Sequence, residues 1–164
     1  MSALSLFDSP EAFKKPGDNL LPKDGEVLFY PDFFSKTDSD RLLKSLTENI
    51  KWQQDQIRFF GKMIDVPRLT AWYGENDKPY AYSGILMNPH PWNSDLLEIK
   101  SKIEEIAKVD FSSVLLNLYR DGKDSVSWHC DNEKELGQNP VIGSVSFGAT
   151  RTFKLRHLQD KIVE

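Results

Sequence analysis

Residues 114–148 read VLLNLYRDGKDSVSWHCDNEKELGQNPVIGSVSFG, and the triplet His129-Cys130-Asp131 lies at their centre. In a β-strand, residues two positions apart point to the same face. A strand would therefore direct the His129 imidazole and the Asp131 carboxylate to one point. This pair supplies two of the three side chains that hold non-haem Fe(II). The triplet alone is weak evidence, because a surface histidine beside a solvated aspartate is the commoner explanation.

The chain on either side of the triplet strengthens the case for a site. The apolar run before it has strand character and places Asn117 and Tyr119 on one face, where buried donors need acceptors. A second strand is predicted over residues 141–147, after a break that contains glycine and proline. Glu133 has the same parity as Asp131 and is a candidate for the same cavity, although an acidic run is normally a solvated turn.

The order and spacing of these features resemble the AlkB family of Fe(II)- and 2-oxoglutarate-dependent dioxygenases. The resemblance extends from about Leu20 onward, and its closest likeness is to the branch that repairs alkylated bases in double-stranded DNA. The matching pieces are Asn117-Leu118-Tyr119, Asp121-Gly122, His129-Cys130-Asp131, Asn132-Glu133, Ile142 to Ala149, and Arg151-Thr152-Phe153.

The resemblance implies an α+β fold, a double-stranded β-helix (jelly roll) covered by an N-terminal lid of helix and hairpin. It implies oxidative demethylation of N-alkylated bases in DNA, of the 1-methyladenine and 3-methylcytosine type, with O2, Fe(II) and 2-oxoglutarate. His129 and Asp131 would be metal ligands and catalytic residues, and Asn117 and Tyr119 would bind 2-oxoglutarate. Glu133 would approach the exocyclic amine of a flipped base, which suits an acceptor.

The family pattern also includes a second histidine ligand, a later arginine for 2-oxoglutarate, and closing strands, none of which occurs before Glu164. We favour the interpretation that the sequence is truncated. The alternatives are a relative that lost catalysis, or substitution of the missing ligand by His157. With two ligands, the chain as written is expected to be inactive or nearly so.

A hairpin with aromatic residues near its tip is predicted over residues 57–62. One interpretation packs both phenylalanines inward. The other inserts an apolar ring into the base stack while flanking cations hold phosphates. The resemblance favours Phe60 as the residue that fills the gap left by a flipped base. Arg68 is a candidate phosphate or backbone contact.

Tyr80 and Tyr82 share one face of a polar segment, where flat rings suit stacking on an extruded base. A pair of half-buried cross-strand aromatics would give the same pattern. The resemblance favours Tyr82 as the stacking residue and Tyr80 as a second lining residue. The expected partner is therefore alkylated DNA, with RNA as the other nucleic acid to consider.

The composition is that of an ordinary globular protein, with 164 residues, 39% hydrophobic and 28% charged. We expect a flexible arm over residues 1–19 and a single domain over residues 20–164, acting as a monomer away from membranes. The net charge of −4 argues mildly against broad nucleic-acid binding. The single Cys130 excludes an internal disulfide and suits a reducing intracellular compartment, cytoplasm or nucleus.

Three supporting elements are predicted outside the site. A short strand covers Glu26 to Tyr30, and a helix capped by Ser35 or Thr37 follows it. A second helix begins at Asn93 or Ser94. Two other functions remain open. A non-catalytic nucleic-acid binding module would keep the aromatic hairpin without a working iron site. An oxygenase of the same fold could instead act on protein or lipid.

Overall fold

The computed structural model describes residues 15–75, 80–82, 85–131 and 136–159. The order of elements is α1 Lys36–Asn49, β1 Gln56–Phe59, β2 Lys62–Asp65, β3 Leu69–Gly74, β4 Tyr80–Tyr82, β5 Ile85–Met87, α2 Ser94–Ala107 and β6 Ser113–Leu118. The strands form three two-stranded antiparallel sheets, which pair β1 with β2, β3 with β6, and β4 with β5. The predicted mixture of helices and antiparallel strands is confirmed.

The described chain divides into two compact units. One contains residues 15–41 and 147–159, and the other is Leu42–Ser146. In the first, the rings of Phe34 and Phe147 meet edge to face with their centroids 5.3 Å apart. The predicted boundary after residue 19 stays a prediction.

The core of the larger unit lies around α1, β3 and α2. Its buried apolar side chains are Leu42, Leu46, Ile50, Val66, Ala71, Tyr73 and Leu96. Leu42 and Leu46 are four residues apart, so they share one face of α1. The Tyr73 hydroxyl accepts a hydrogen bond of 3.1 Å from the backbone N–H of Lys51, which ties β3 to the end of that helix. This packing holds β3 beside β6, the strand that contains Asn117.

The two helices begin where their capping residues predict. The Ser35 hydroxyl accepts the backbone N–H of Asp38 at 3.1 Å, and the Asn93 side chain accepts that of Leu96 at 2.9 Å. Of the alternative caps, Ser35 and Asn93 are therefore confirmed. Within the described ranges, neither helix has the length and apolar character needed to cross a bilayer.

The strands predicted over residues 26–30 and 141–147 are wrong. Residues 26–30 make only one isolated bridge, between Asn19 and Leu28, and residues 119–131 and 136–159 contain no strand. Val141 and Ile142 are 55% and 54% exposed, although their segment has the composition of a buried strand. A strand is stabilised by neighbouring strands rather than by its own sequence, and none of the strands in the described residues pairs with this segment.

The segment after Pro140 nevertheless lies against α2. A Cβ atom added to Gly143 would meet the side chains of Ile103 at 3.1 Å and Phe111 at 3.2 Å, so a larger residue here would require both side chains to shift slightly. Ile103 of α2 therefore lies close to this segment. The complete two-sheet jelly roll is not present among the described residues, and the site is built on irregular chain after β6.

Candidate metal and co-substrate site

The side chains of His129 and Asp131 converge, although residues 129–131 do not form the strand on which that prediction rested. His129 Nε2 lies 3.5 Å from Asp131 Oδ1, and the two side chains are 41% and 42% exposed. Two ligands bonded to one divalent metal at about 2.0–2.2 Å and near right angles lie roughly 3 Å apart or slightly more. The pair therefore fits two neighbouring ligand positions of a divalent metal with little adjustment.

The protonation of His129 is suited to metal binding. Its Nδ1 atom lies 2.8 Å from the backbone carbonyl oxygen of Ser127. A carbonyl oxygen only accepts, so Nδ1 carries the proton in this contact and the lone pair of the neutral ring is on Nε2. Metal-binding histidines are commonly oriented in this way by a carbonyl on the other ring nitrogen. The ring nitrogen that carries the lone pair is thus the one that faces Asp131.

A clamp between Arg120 and Asp124 shapes the loop that leads to this pair. The Asp124 carboxylate is buried and accepts three hydrogen bonds from Arg120, from the backbone N at 2.9 Å, Nε at 2.8 Å and Nη2 at 3.0 Å. These bonds raise the pKa of the Arg120 guanidinium, chiefly through the hydrogen bond to Asp124. The loop therefore holds a defined shape although it is not a strand.

Gln54 connects this clamp to the short segment between β2 and β3. Its side-chain oxygen accepts Arg120 Nη1 at 3.1 Å, while its amide nitrogen donates to the carbonyl of Val66 at 2.8 Å. Sequence reasoning missed Gln54, Arg120 and Asp124. The one available signal was the opposite charge of Arg120 and Asp124 four residues apart, which also suits an ordinary solvated turn.

Asn117 lies on β6, opposite Thr70 of β3, and its side chain is exposed. Its Oδ1 atom accepts a hydrogen bond of 2.8 Å from Nε of Arg68. Tyr119 follows directly after β6 and is half-buried. The same Arg68 reaches the carbonyl of Ser125 with Nη1 at 3.4 Å. Arg68 therefore contacts both Asn117, which is predicted to bind 2-oxoglutarate, and the loop that leads to His129 and Asp131.

The burial of Arg68 is at odds with its predicted role as a phosphate contact. Its side chain is only 7% exposed, and its hydrogen bonds run to protein groups. A residue that binds DNA phosphate has to be reachable from solvent. The sequence motif alone could not distinguish these uses of an arginine.

The structure brings no third metal ligand to the pair within the ranges it describes. No group of three or more His, Cys, Asp or Glu side chains suited to a metal occurs among those residues. His157, the predicted substitute, has its Nε2 atom 3.3 Å from the carboxylate of Asp24 in the smaller unit. Its orientation is accounted for by this contact.

The predicted hairpin is confirmed, with Phe60 and Gly61 as the turn between β1 and β2. Both turn residues have positive φ, 46° and 80°, which is the signature of a twisted two-residue hairpin turn. The Phe60 side chain is 92% exposed, so the interpretation that both phenylalanines pack inward is wrong for Phe60.

Three other predicted substrate residues cannot be placed in full. Tyr80 and Tyr82 lie on β4, opposite Met87 and Ile85, but their side chains are outside the described structure. Glu133 lies outside the described residues. Their predicted roles stay predictions.

Comparison with known proteins agrees with the site. The sequence pattern described as the 2OG-Fe(II) oxygenase superfamily matches residues 26–162. The chain belongs to this superfamily. The region that matches the 2OG-Fe(II) oxygenases therefore includes His129, Asp131 and Asn117, the residues of the candidate site described above. The predicted cofactors, Fe(II) and 2-oxoglutarate, are those of the superfamily, and the predicted membership of the 2OG-Fe(II) oxygenases is confirmed.

Individual 2OG-Fe(II) oxygenases confirm the AlkB resemblance. The chain is 49% identical over 135 residues to mouse alpha-ketoglutarate-dependent dioxygenase alkB homolog 3, covering 79% of this chain and 45% of that protein. It is 34% identical over 147 residues to mouse DNA oxidative demethylase ALKBH2, covering 88% of this chain and 62% of that protein. The Arabidopsis thaliana ALKBH2 is 30% identical over 168 residues, with 98% of this chain and 53% of that protein covered.

The chain thus spans about half the length of the curated relatives it matches. The identity with mouse alkB homolog 3 exceeds that with mouse ALKBH2. The predicted likeness to the branch that acts on double-stranded DNA stays a prediction.

Proposed function

We propose that this protein takes part in oxidative demethylation of N-alkylated bases in DNA, of the 1-methyladenine and 3-methylcytosine type. The observation that carries the proposal is the convergence of His129 Nε2 and Asp131 Oδ1 in a chain of the 2OG-Fe(II) oxygenase superfamily. The names of the relatives support the substrate class, because two of them are called DNA oxidative demethylases.

The residues have separate tasks in this proposal. His129 and Asp131 would hold Fe(II), with the ring fixed by the carbonyl of Ser127. Asn117 and Tyr119 would hydrogen-bond 2-oxoglutarate. Together, bound Fe(II) and 2-oxoglutarate supply the activation of O2 that oxidises an N-methyl group, which then leaves as formaldehyde. The side chains of His129 and Asp131 are both exposed, so a metal and a co-substrate could reach them from solvent.

Substrate recognition is proposed for the aromatic residues and Glu133. Phe60 projects from the hairpin tip and can enter the base stack, a use that its 92% exposure supports. Arg58 and Lys62 flank the turn and supply positive charge for phosphates. Tyr80, Tyr82 and Glu133 would line the flipped base, and a carboxylate suits a cationic methylated base. A DNA substrate and the single Cys130 both suit the expected reducing compartment.

The test replaces His129 with alanine in the natural, full-length protein. Removing one ligand should abolish Fe(II) retention and formaldehyde release from a methylated oligonucleotide, while binding of that oligonucleotide changes less than about twofold. His157→Ala is the matched control, and it should retain iron because His157 already contacts Asp24. Equal loss of DNA binding and turnover in H129A would show that His129 is not a metal ligand.

The 164-residue polypeptide on its own is expected to bind iron weakly. Two protein ligands and no arginine for 2-oxoglutarate leave the metal and the co-substrate poorly held. We therefore expect almost no turnover by this polypeptide, and formaldehyde release at the rate of a complete enzyme would contradict this expectation.

The second candidate function is a non-catalytic nucleic-acid binding module. The exposed Phe60 tip and the lack of a three-ligand group among the described residues are the observations in its favour. Anaerobic titration with Fe(II) and 2-oxoglutarate, followed by absorbance, separates the two functions. A charge-transfer band in the full-length protein supports the enzyme, and its absence together with tight DNA binding supports the module.

A further inference from the structure

Arg68 is a buried cation whose contacts lie beside the proposed co-substrate residue. It is 7% exposed, and Nε donates to Oδ1 of Asn117 at 2.8 Å. Burying a guanidinium costs free energy unless its N–H groups are hydrogen-bonded. The folded state therefore strongly favours the bond between Arg68 and Asn117. Arg68 precedes β3, and β3 pairs with the strand that contains Asn117.

The chemistry of arginine decides which way the Asn117 amide faces. A side-chain amide has an acceptor oxygen and a donor nitrogen of nearly equal size, so sterics alone permit either orientation. Arginine has donors only. The oxygen of Asn117 must therefore face Arg68, and the NH2 group points away from it. Because the Asn117 side chain is exposed, its donor nitrogen remains available to a ligand.

We propose that Arg68 is a positioning residue that fixes the Asn117 amide so that its NH2 group is presented to a carboxylate of the co-substrate. This inference rests on the proposed function, in which Asn117 binds 2-oxoglutarate. A carboxylate only accepts hydrogen bonds. If the Asn117 amide were flipped, its oxygen would face the carboxylate of the ligand and no hydrogen bond could form between them. Arg68 thereby selects a carboxylate-bearing ligand without touching it.

The same side chain also reaches the loop of the metal pair. Arg68 Nη1 lies 3.4 Å from the carbonyl of Ser125, whose backbone N–H donates to the carbonyl of Pro67 at 2.8 Å. His129 in turn is oriented by Ser127, two residues further along the loop. One buried side chain therefore holds both the amide of Asn117 and the approach to the metal ligand.

The test is a double-mutant cycle on 2-oxoglutarate affinity in the full-length protein, measured by calorimetry with Mn(II) in place of Fe(II). Arg68→Met keeps the apolar length of the side chain but removes its donors. We expect R68M and Asn117→Ala each to weaken binding about tenfold, and the double variant to be no weaker than N117A. Arg68→Lys, which keeps a donor, should recover part of the affinity.

A purely structural role for Arg68 would give a different result. Tyr73→Phe is the matched control, because it removes another buried hydrogen bond, that with Lys51, from the same sheet. Y73F should lower the melting temperature without changing 2-oxoglutarate affinity. If R68M weakens binding as much in the N117A background as alone, Arg68 does not act through Asn117 and the inference fails.

A second measurement requires neither bound metal nor bound 2-oxoglutarate. In nitrogen-15 NMR of the ligand-free chain, the Nε–H signal of Arg68 should be protected from solvent exchange and should lose that protection in N117A. An unprotected signal in the wild type would overturn the inference. If N117A leaves 2-oxoglutarate affinity unchanged while the Nε–H signal behaves as expected, the assignment of Asn117 in the proposed function is what fails.

Discussion

At the scale of single residues, the site is defined by hydrogen bonds that set orientation rather than by burial. His129 and Asp131 are both exposed to a similar degree, yet the imidazole is held by Ser127 with its Nε2 atom toward the carboxylate. Asn117 is likewise exposed but oriented by the buried Arg68. Exposed candidate ligands, one of them held by a buried arginine, suit a proposed site that would admit a metal and a co-substrate from solvent.

Asp124 is the residue whose loss should most disturb this loop. Asp124→Asn replaces an acceptor-only carboxylate, which binds three donors of Arg120, by an amide that offers one acceptor. We expect a loss of about 1–3 kcal/mol in the free energy of unfolding, measured with urea. Asp121→Asn, on the exposed part of the same loop, should change it by less than about 0.5 kcal/mol. If D124N and D121N lowered the free energy of unfolding equally, the bonds between Arg120 and Asp124 would not be what stabilises the loop.

Phe60 should matter for DNA and not for the fold. Because its ring is 92% exposed, Phe60→Ala should change the free energy of unfolding by less than about 0.5 kcal/mol. Affinity for methylated duplex DNA should fall by about 1–3 kcal/mol, the usual value of an aromatic–base stack. Fluorescence anisotropy measures this loss, with Met63→Ala on the same hairpin as control. Unchanged affinity in F60A would remove the wedge from the proposal.

At the scale of elements, short-range chemistry accounts for the helices and the hairpin. Both helices start at a side chain that accepts a backbone N–H, and the end of α2 is closed by Lys108 in a left-handed conformation. The end of α2 is also tied to the chain that leads into β6. Glu104 accepts the backbone N–H of Phe111 and the ammonium of Lys100, both at 2.7 Å.

These contacts predict a pH dependence of stability. They lower the pKa of Glu104 from its ordinary value of 4.5, first through the hydrogen bond to Lys100 and then through that to Phe111. A lowered pKa means that the stabilisation is complete above pH 4.5 and is lost as the pH falls through the folded-state value. Glu104→Gln should therefore flatten the decline of the melting temperature in acid. An unaltered acid profile would contradict this assignment.

At the scale of the whole molecule, ligand binding should be visible as stability. A ligand that binds only the folded state adds about 2.7 kcal/mol at a concentration of 100 times its dissociation constant. For the full-length protein, we expect Mn(II) with 2-oxoglutarate to raise the melting temperature by several degrees. H129A should show no such rise. A rise of equal size in H129A would place the binding site elsewhere.

The sequence by itself determined the chemistry and the local elements. The spacing of His129 and Asp131, the caps at Ser35 and Asn93 and the Phe60–Gly61 turn depend on neighbours within a few residues, so local rules suffice to predict them. The family resemblance depends on the same motifs.

Only the tertiary structure decided the supports and the strands. Arg68 and Asn117 are 49 residues apart in the sequence, and Gln54 and Arg120 are 66 apart. Patterns within a few residues cannot predict contacts over such separations. The strand predicted over residues 141–147 failed for the same reason. Backbone pairing requires a neighbouring edge, and whether one is present is a property of the folded molecule, not of the segment.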